Sequence, residues 1–536
     1  MSGSISPSKP VDKSNKYDRQ LRLWGDQGQS KLEKARICLI NATATGTEIL
    51  KNLILPGIGS FTIVDGHKVS GEDVGNNFFL EKSAIGKNRG QVACELLQEL
   101  NDDVLANYVD ENVEDLFQVN AKFFSTFSVV IATDLNERTL LQISSYLWSC
   151  KVPFLHCVSY GFIGYMRIAM PVHTVIESHP DNALDDLRLD RPFKEFRDLC
   201  DACDLGKMNV KEHSHIPWLI VVYKYLEIWK NKNNGNIPKT YQEKQAFKKL
   251  IRSGILLNKD GNPEMEENFD EAIRNVNTAL SATKMPDDVK HIFEDPECIN
   301  IVNKSEPFWI LVRAVKEFVK SEGEGFLPLR GVIPDMTSDS DSFIRLQQVY
   351  RNKASKDVEA VNKHLQNVVS NLSIPCIISE AEIRNFCKNA AFLRVLRYRS
   401  ISEEYNSPST IFLRQMAQRV EDEDDDLVYY VLLRAVSRYY LCYSNYPGIY
   451  EVEDDIMNLK SCVTRLLQQW KITCSIKDDL IHEFCRYGAC EMHSIAAYMG
   501  GCAAQEAIKL ITGQYVPFNN TFIYNAMKQT SVTVEL

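Results

Sequence analysis

Over the first 170 residues, short unbroken apolar runs alternate with stretches whose apolar residues recur at helical spacing. Residues 36–41 (RICLIN) form one such run and end at a polar turn. Between 46 and 55, Ile49, Leu50, Leu53 and Ile54 share one helical face, and Pro56-Gly57 stops the helix. Residues 60–65 (SFTIVD) predict a second buried strand, and 129–133 (VVIAT) a third. A helix over 87–100 carries Val92, Leu96, Leu97 and Leu100. Another helix runs through Trp148, and 154–160 predicts a further strand. Apolar strands joined by amphipathic helices predict a doubly wound α/β fold, with a parallel sheet covered on both faces.

From about residue 171 strand-like runs become scarce, and helical patterns dominate at 217–230, 308–319, 343–369 and 427–440. Two breaks divide this region: 323–334 (GEGFLPLRGVIP) and the acidic run 421–426 (EDEDDD). The acidic run reads as a solvated loop or as a surface for a basic partner. Strand texture returns at the end. Residues 494–512 predict a helix with a small-residue patch at Gly500-Gly501, and 521–526 and 531–536 predict a hairpin. The expected organisation is a flexible tail over 1–16, the first part of an α/β domain over 17–170, a mostly helical insertion over 171–480, and the C-terminal part of the α/β domain over 481–536.

Composition narrows the classes. A chain of 536 residues, 44% hydrophobic and 25% charged, is an ordinary globular protein with room for several domains. Its net charge of -10 argues against non-specific nucleic-acid binding. No apolar run reaches the roughly 18 residues of a membrane span, and the polar first residues predict no secretory leader. The 15 cysteines are odd in number and scattered, which predicts reduced thiols in the cytoplasm or nucleus. Cys200-Asp-Ala-Cys203, with His213 and His215 downstream, lacks a second ligand pair at zinc spacing, so no metal is expected.

A phosphate site is usually built where a strand turns into a helix, with glycines letting backbone N–H groups approach the anion. Here the turn reads Asn41-Ala42-Thr43-Ala44-Thr45-Gly46-Thr47, with Gly46 alone remaining. Asp65, at the end of the second strand, stands where a carboxylate would bond a ribose hydroxyl, or it caps a turn. Asp134, after the third strand, stands where a carboxylate would hold Mg²⁺, or it caps the next helix.

Residues 17–25 (YDRQLRLWG) resemble the opening motif of the ubiquitin-activating enzyme superfamily, which is ThiF-like. The resemblance continues through 86–95 (GKNRGQVACE) and 500–509 (GGCAAQEAIK) and covers nearly the whole chain. Residues 41–53, 175–189, 331–336 and 482–489 resemble the neddylation branch, which serves the cullin-modifying ubiquitin-like protein. The resemblance implies an adenylation domain split by an insertion that resembles a catalytic-cysteine domain. In active members the turn reads like Gly-x-Gly-Gly-x-Gly; here Asn41, Thr43 and Ala44 replace three of those glycines. Asn76 stands at a phosphate-contacting arginine and Arg89 at the phosphate-binding lysine. Asp65 and Asp134 match the ribose and magnesium aspartates, so Gly46, Asp65 and Asp134 are a vestigial nucleotide set. No Cys-Thr dipeptide of the family's nucleophile occurs.

The resemblance therefore implies a regulatory subunit without autonomous activity. Its partners would be a catalytic subunit that binds ATP and Mg²⁺ and carries the cysteine, the ubiquitin-like modifier, and a transient conjugating enzyme. Arg19 matches an arginine that reaches the partner's ATP in trans; pairing with Asp18 is the simpler alternative. The resemblance also implies partner contact through Gly331, Val332, Ile333, Pro334, Asp335, Met336, Thr337, Ser338, Asp339, Ser340, Asp341, Ser342, Phe343 and Ile344, a segment whose composition otherwise reads as an interdomain loop. Lys211 is a weaker interface candidate. The alternatives are a regulatory subunit of the SUMO pathway, an autonomous nucleotide-binding enzyme using Asp65 and Asp134, and a scaffold.

Overall fold

The computed structural model describes residues 13–372, 378–420 and 425–536. It divides into one unit of residues 1–175 and 395–536 and a second of 176–394.

The first unit is built on an eight-stranded sheet. Its strands are β1 (Arg36–Ile40), β2 (Ser60–Val64), β3 (Leu105–Val109), β4 (Val129–Thr133), β5 (Phe154–Tyr160) and β6 (Ile163–Ala169); β7 (Val172–Val175) and β8 (Arg394–Arg397) form a separate ribbon; β9 (Thr521–Asn525) and β10 (Thr530–Val534) complete the sheet. The order is β10-β9-β6-β5-β4-β1-β2-β3. Strands β3 to β5 in this order are parallel, but β5–β6, β6–β9 and β9–β10 are antiparallel. The sheet is therefore mixed rather than wholly parallel.

Residues of β1 alternate between two cores, as strand geometry requires. Ile37 and Leu39 pack with Phe61, Ile63 and Ile131 beneath the helices Ala44–Ile54, Arg89–Gln98 and His493–Thr512. Cys38 and Ile40 pack with Val64, Val130 and Ala132 against the helices Val113–Asn120 and Glu137–Ser149. Gly500 sets the approach of two helices on the first face: a Cβ there would lie 2.6 Å from the Cβ of Glu48.

The expected insertion of 171–480 is too long at its C-terminal end. The helices Val428–Tyr443, Val452–Gln469 and Asp478–Tyr487 bury Tyr430, Leu466 and Phe484 in one core with Tyr160, Ile163 and Tyr165 of β5 and β6 and Ile523 of β9. Arg167 on β6 is fully buried and donates from Nε to Glu404 Oε2 at 2.8 Å. These contacts give 395–480 to the sheet.

The second unit is mainly helical. Phe196, Phe247 and Phe269 centre a core with the helices Trp218–Lys232, Tyr241–Arg252 and Glu267–Ala279, and Leu346 and Tyr350 of the long helix Ser340–Leu372 join it. Within the expected tail, Lys13–Lys16 is helical, and Lys16 pairs with Asp103 at 2.9 Å. In the acidic run, 421–424 lie outside the described residues. Asp425 and Asp426 are not simply solvated: Asp425 pairs with Arg419, and Asp426 is buried and accepts from Asn525 Nδ2 at 2.8 Å.

Candidate functional site

The vestigial nucleotide position is closed by the chain's own side chains, beginning at the turn after β1. Asn41 takes a positive φ of 66°, which asparagine tolerates better than most non-glycine residues. Its amide donates to the carbonyls of Thr133 and Asp134 at 2.9 and 3.0 Å, tying the ends of β1 and β4. Thr43 caps the 44–54 helix by accepting from the Gly46 N–H. Gly46 remains glycine for packing: a Cβ there would sit 2.8 Å from the carbonyl oxygen of Asn41 and 3.1 Å from the Leu39 methyls.

A helix N-terminus attracts anions through its free N–H groups and its dipole. Here the anion is Glu491. Its Oε2 accepts from the Ala44 N–H at 2.8 Å; its Oε1 accepts from Thr45 Oγ1 at 2.8 Å and lies 3.1 Å from Thr43 Oγ1. The fold delivers it on a loop held to the end of β5, where the Gly161 N–H donates to the Cys490 carbonyl at 2.8 Å. Enclosure by protein pushes the Glu491 carboxyl up, the Thr45 hydroxyl pulls it back, and the charge of Asp134 raises it again, to about 7. The surface it retains faces a cavity.

Asp65 is fully buried, and both its carboxylate oxygens are engaged. Oδ2 accepts from the Ala42 N–H at 2.8 Å and from Arg89 Nε at 2.7 Å, while Oδ1 accepts from the His67 N–H and faces His67 Nδ1, each at 2.9 Å. Burial alone would raise its pKa; the His67 bond and the Arg89 charge outweigh burial and hold it at about 2. Arg89 also donates from Nη1 to Asp73 at 3.1 Å, so its guanidinium points back into the chain. The oxygens a ribose would need are already engaged here. Asp134 is exposed and accepts from the Tyr446 hydroxyl at 2.5 Å.

A cavity of about 710 Å³ opens beside the turn. Thr43, Arg89, Asp134 and Glu491 line its polar part, and Tyr160, Tyr405 and Tyr446 its aromatic part. Asn76, at the position of a phosphate-contacting arginine, lines it too and brings no positive charge. At this turn the helix N-terminus is filled by Glu491, and the Arg89 guanidinium is paired with two carboxylates, with its buried Nη2 alone lacking a hydrogen-bond partner.

Arg19 is the second residue of the segment Asp18–Lys34, which is helical on either side of a break at Gly25; its side chain is 87% exposed, with Asp18 at 3.9 Å. In the second unit, the two interface candidates converge. The Asp339 N–H donates to the His215 carbonyl at 3.0 Å, and His215 Nδ1 lies 2.8 Å from the Lys211 carbonyl. Thr337 donates from its N–H and its hydroxyl to Glu271, each at 3.0 Å. Ile333 is buried, Val332, Asp335 and Ile344 are exposed, and Lys211 is exposed on the short helix Val210–His213. Residues 340–344 open the Ser340–Leu372 helix and are not loop.

Cys200 is buried, and burial pushes its thiol up; Cys203 is half-buried and also raised by burial. His213 is buried and held by Glu266 at 2.5 Å. Among the described residues, no three His, Cys, Asp or Glu side chains gather as a metal site would need. Glu491 and Tyr446 carried no local sequence signal, because each acts on a partner the fold brings to it, whereas His67 bonds Asp65 only two residues before it. Arg89 was visible in the sequence, but its pairing with Asp65 was not.

The ThiF family model matches residues 17–536. A Danio rerio protein described as "NEDD8-activating enzyme E1 regulatory subunit" is 57% identical over 98% of this chain and 99% of its own length. Relatives of the same description in Gallus gallus and Drosophila melanogaster are 56% and 44% identical, each over 99% of this chain and over 99% and 100% of their own lengths. The chain belongs to the ThiF family and, within it, to the NEDD8-activating enzyme E1 regulatory subunits.

Proposed function

We propose that this chain is the non-thioester-forming half of a heterodimeric enzyme that activates NEDD8, the ubiquitin-like modifier of cullins. A catalytic partner subunit binds ATP and Mg²⁺ and carries the acceptor cysteine. The assembled enzyme adenylates the modifier's C-terminal glycine, moves it to that cysteine, and passes it to a conjugating enzyme. This chain binds no ATP of its own. It contributes the pairing surface, part of the modifier's groove, and Arg19, whose exposed guanidinium can offer charge and a planar fork of donors to the partner's nucleotide. The 331–344 segment and Lys211 form a second contact with the partner. The cytoplasm and the nucleus are the compartments that suit a chain whose 15 cysteines are odd in number and scattered.

The observation that carries this reading is the closed turn. Glu491 fills the helix N-terminus, and Arg89 is bound to Asp65 and Asp73. A chain that adenylated alone would need both groups free to stabilise phosphate charge. Reconstitution tests it: thioester on NEDD8 forms only when both subunits are present, and calorimetry of this chain alone with ATP and Mg²⁺ shows no heat of binding. Tight ATP binding by the isolated chain would overturn the reading. Thioester formation with SUMO in place of NEDD8 would overturn the choice of modifier.

A further inference from the structure

We infer that the outer face of the Tyr241–Arg252 helix is a docking surface for an acidic peptide segment of another protein. The inference uses residues of the second unit alone and does not depend on the proposed function.

Residues 239–259 hold six lysines or arginines and one acid, a net of +5 in a chain whose net charge is -10. On the 241–252 helix, Lys244, Lys248 and Arg252 recur every four residues and share one face, with Tyr241 at its start and Lys249 beside it. Another side holds Phe247 and Ile251, buried in the unit's core, with the Phe247 ring set edge-on to Trp229 at 5.8 Å. Tyr241, Lys249 and Arg252 are exposed, and Lys244 and Lys248 are half-buried.

These cations are not neutralised within the chain. Among the described residues, no carboxylate pairs with Lys244, Lys248, Lys249 or Arg252. Other helices of the unit do neutralise theirs: Arg313 and Lys320 share Glu317, Lys353 pairs with Asp357, and Lys356 with Glu195. Glu243, the one acid of the 241–252 helix, is turned to its own N-terminus, where it accepts from the N–H groups of Lys239 and Thr240 at 2.8 Å. Like charges four residues apart repel, and Lys244 lies towards the end of the helix where a cation opposes the dipole. The row therefore carries a repulsion that no carboxylate of the described residues offsets, and an external anion removes it.

Size and charge select the occupant. A bilayer or a nucleic-acid duplex is an extended anion and meets the whole chain with its net charge of -10, whereas a short peptide feels the field only within a Debye length of about 8–10 Å. Lysines outnumber arginines five to one over 239–259. They act as point charges rather than planar forks, which suits carboxylates at variable spacing. The exposed Tyr241 ring, and Leu257 in the hairpin that follows the helix, add apolar contact. The complementary segment is a run of aspartates or glutamates with interspersed apolar residues.

The test measures, by fluorescence anisotropy, binding of the full chain to a labelled twelve-residue peptide of glutamates with a leucine at every fourth position, against the same peptide with glutamine for glutamate. Wild type binds the glutamate peptide alone, and binding weakens as salt rises. The triple variant Lys244→Glu, Lys248→Glu and Arg252→Glu binds at least about tenfold more weakly, the scale of a few exposed ion pairs. Lys82→Glu with Lys122→Glu and Lys304→Glu makes the same change in net charge on exposed residues elsewhere, and stays within about twofold of wild type. If the reversal variant fails to fold, the glutamine triple at 244, 248 and 252 replaces it and weakens binding at least about threefold. Silence of wild type to the glutamate peptide, no loss in the 244/248/252 variant, or equal loss in the two triple variants overturns the inference. Tighter binding to phosphatidylserine vesicles or to poly(U) than to the peptide overturns the choice of occupant. Loss of the peptide on assembly with the catalytic subunit assigns the face to that subunit and overturns the inference as well.

Discussion

Two carboxylates meet the turn after β1 from different regions, and their proton affinities move in opposite directions. Asp65 arrives from the end of β2 and is held at about 2; Glu491 arrives from the loop before the 493–512 helix and is pushed to about 7. Burial raises both, so it does not account for their opposite shifts. Asp65 is bonded to His67 and has a guanidinium at 2.7 Å, whereas the hydrogen bonds to Glu491 come from neutral hydroxyls and one N–H, with Asp134 nearby. Neutral donors orient a buried charge but do not replace lost hydration as a cation does. The same turn thus contains a permanent ion pair and a carboxylate close to its protonation point.

Removing the cation gives the largest effect. Arg89→Ala leaves Asp65 buried without its counter-charge, and should cost about 3–5 kcal/mol in the unfolding of the α/β unit, read by urea denaturation. A loss below about 1 kcal/mol would mean that His67 and the Ala42 N–H alone can hold Asp65, and the contrast with Glu491 would fail. The pH dependence comes next. Glu491 has a folded pKa of about 7, above the ordinary carboxyl value of 4.5, so the folded chain holds its proton more tightly. Stability then falls as pH rises from 4.5 to about 7. The contribution is about 2 kcal/mol after allowing for its opening to the cavity, and Glu491→Gln removes that slope. Asp65 has the opposite sign. Its folded pKa of about 2 lies below 3.8, so its stabilisation is present above pH 3.8 and disappears as pH falls towards 2.

How far the sequence reveals these elements depends on whether their cause is local. Strands β1, β2, β4 and β5 were legible because each is an apolar run buried on its sides. Strand β3 was not, since LANYV lies at the sheet edge with Leu105 and Tyr108 exposed. The end of the insertion was missed because the 428–443 and 452–469 helices look the same whether they pack on helices or on β5 and β6. The losses at Asn41, Thr43 and Ala44 were legible as residue identities. The closure itself was not, because Glu491 acts on Thr43 and Ala44 from more than four hundred residues away.

Gly46→Ala probes the turn from its packing side, with a smaller effect. Its new Cβ would meet the Asn41 carbonyl at 2.8 Å, and the backbone there is fixed by the Asn41 amide. The expected cost is about 1–2 kcal/mol in the same urea transition. A neutral result would return Gly46 to the role of a relic of phosphate binding.

Arg19 gives the smallest structural effect and so separates stability from function. Its pair with Asp18 spans 3.9 Å with the arginine 87% exposed, and such pairs contribute little. Arg19→Ala should leave the thermal midpoint of the chain unchanged, yet slow adenylate formation by the assembled heterodimer, measured by pyrophosphate exchange. Arg22 is the control: it shares Asp18 at 3.2 Å and is also exposed, so Arg22→Ala should change neither quantity. Arg19→Lys keeps the charge and loses the planar fork, so it should recover only part of the rate. Equal loss in Arg19→Ala and Arg22→Ala would assign the effect to the positive charge of the whole helix end rather than to one guanidinium. No loss in either would leave the closed turn as the main feature that distinguishes this subunit.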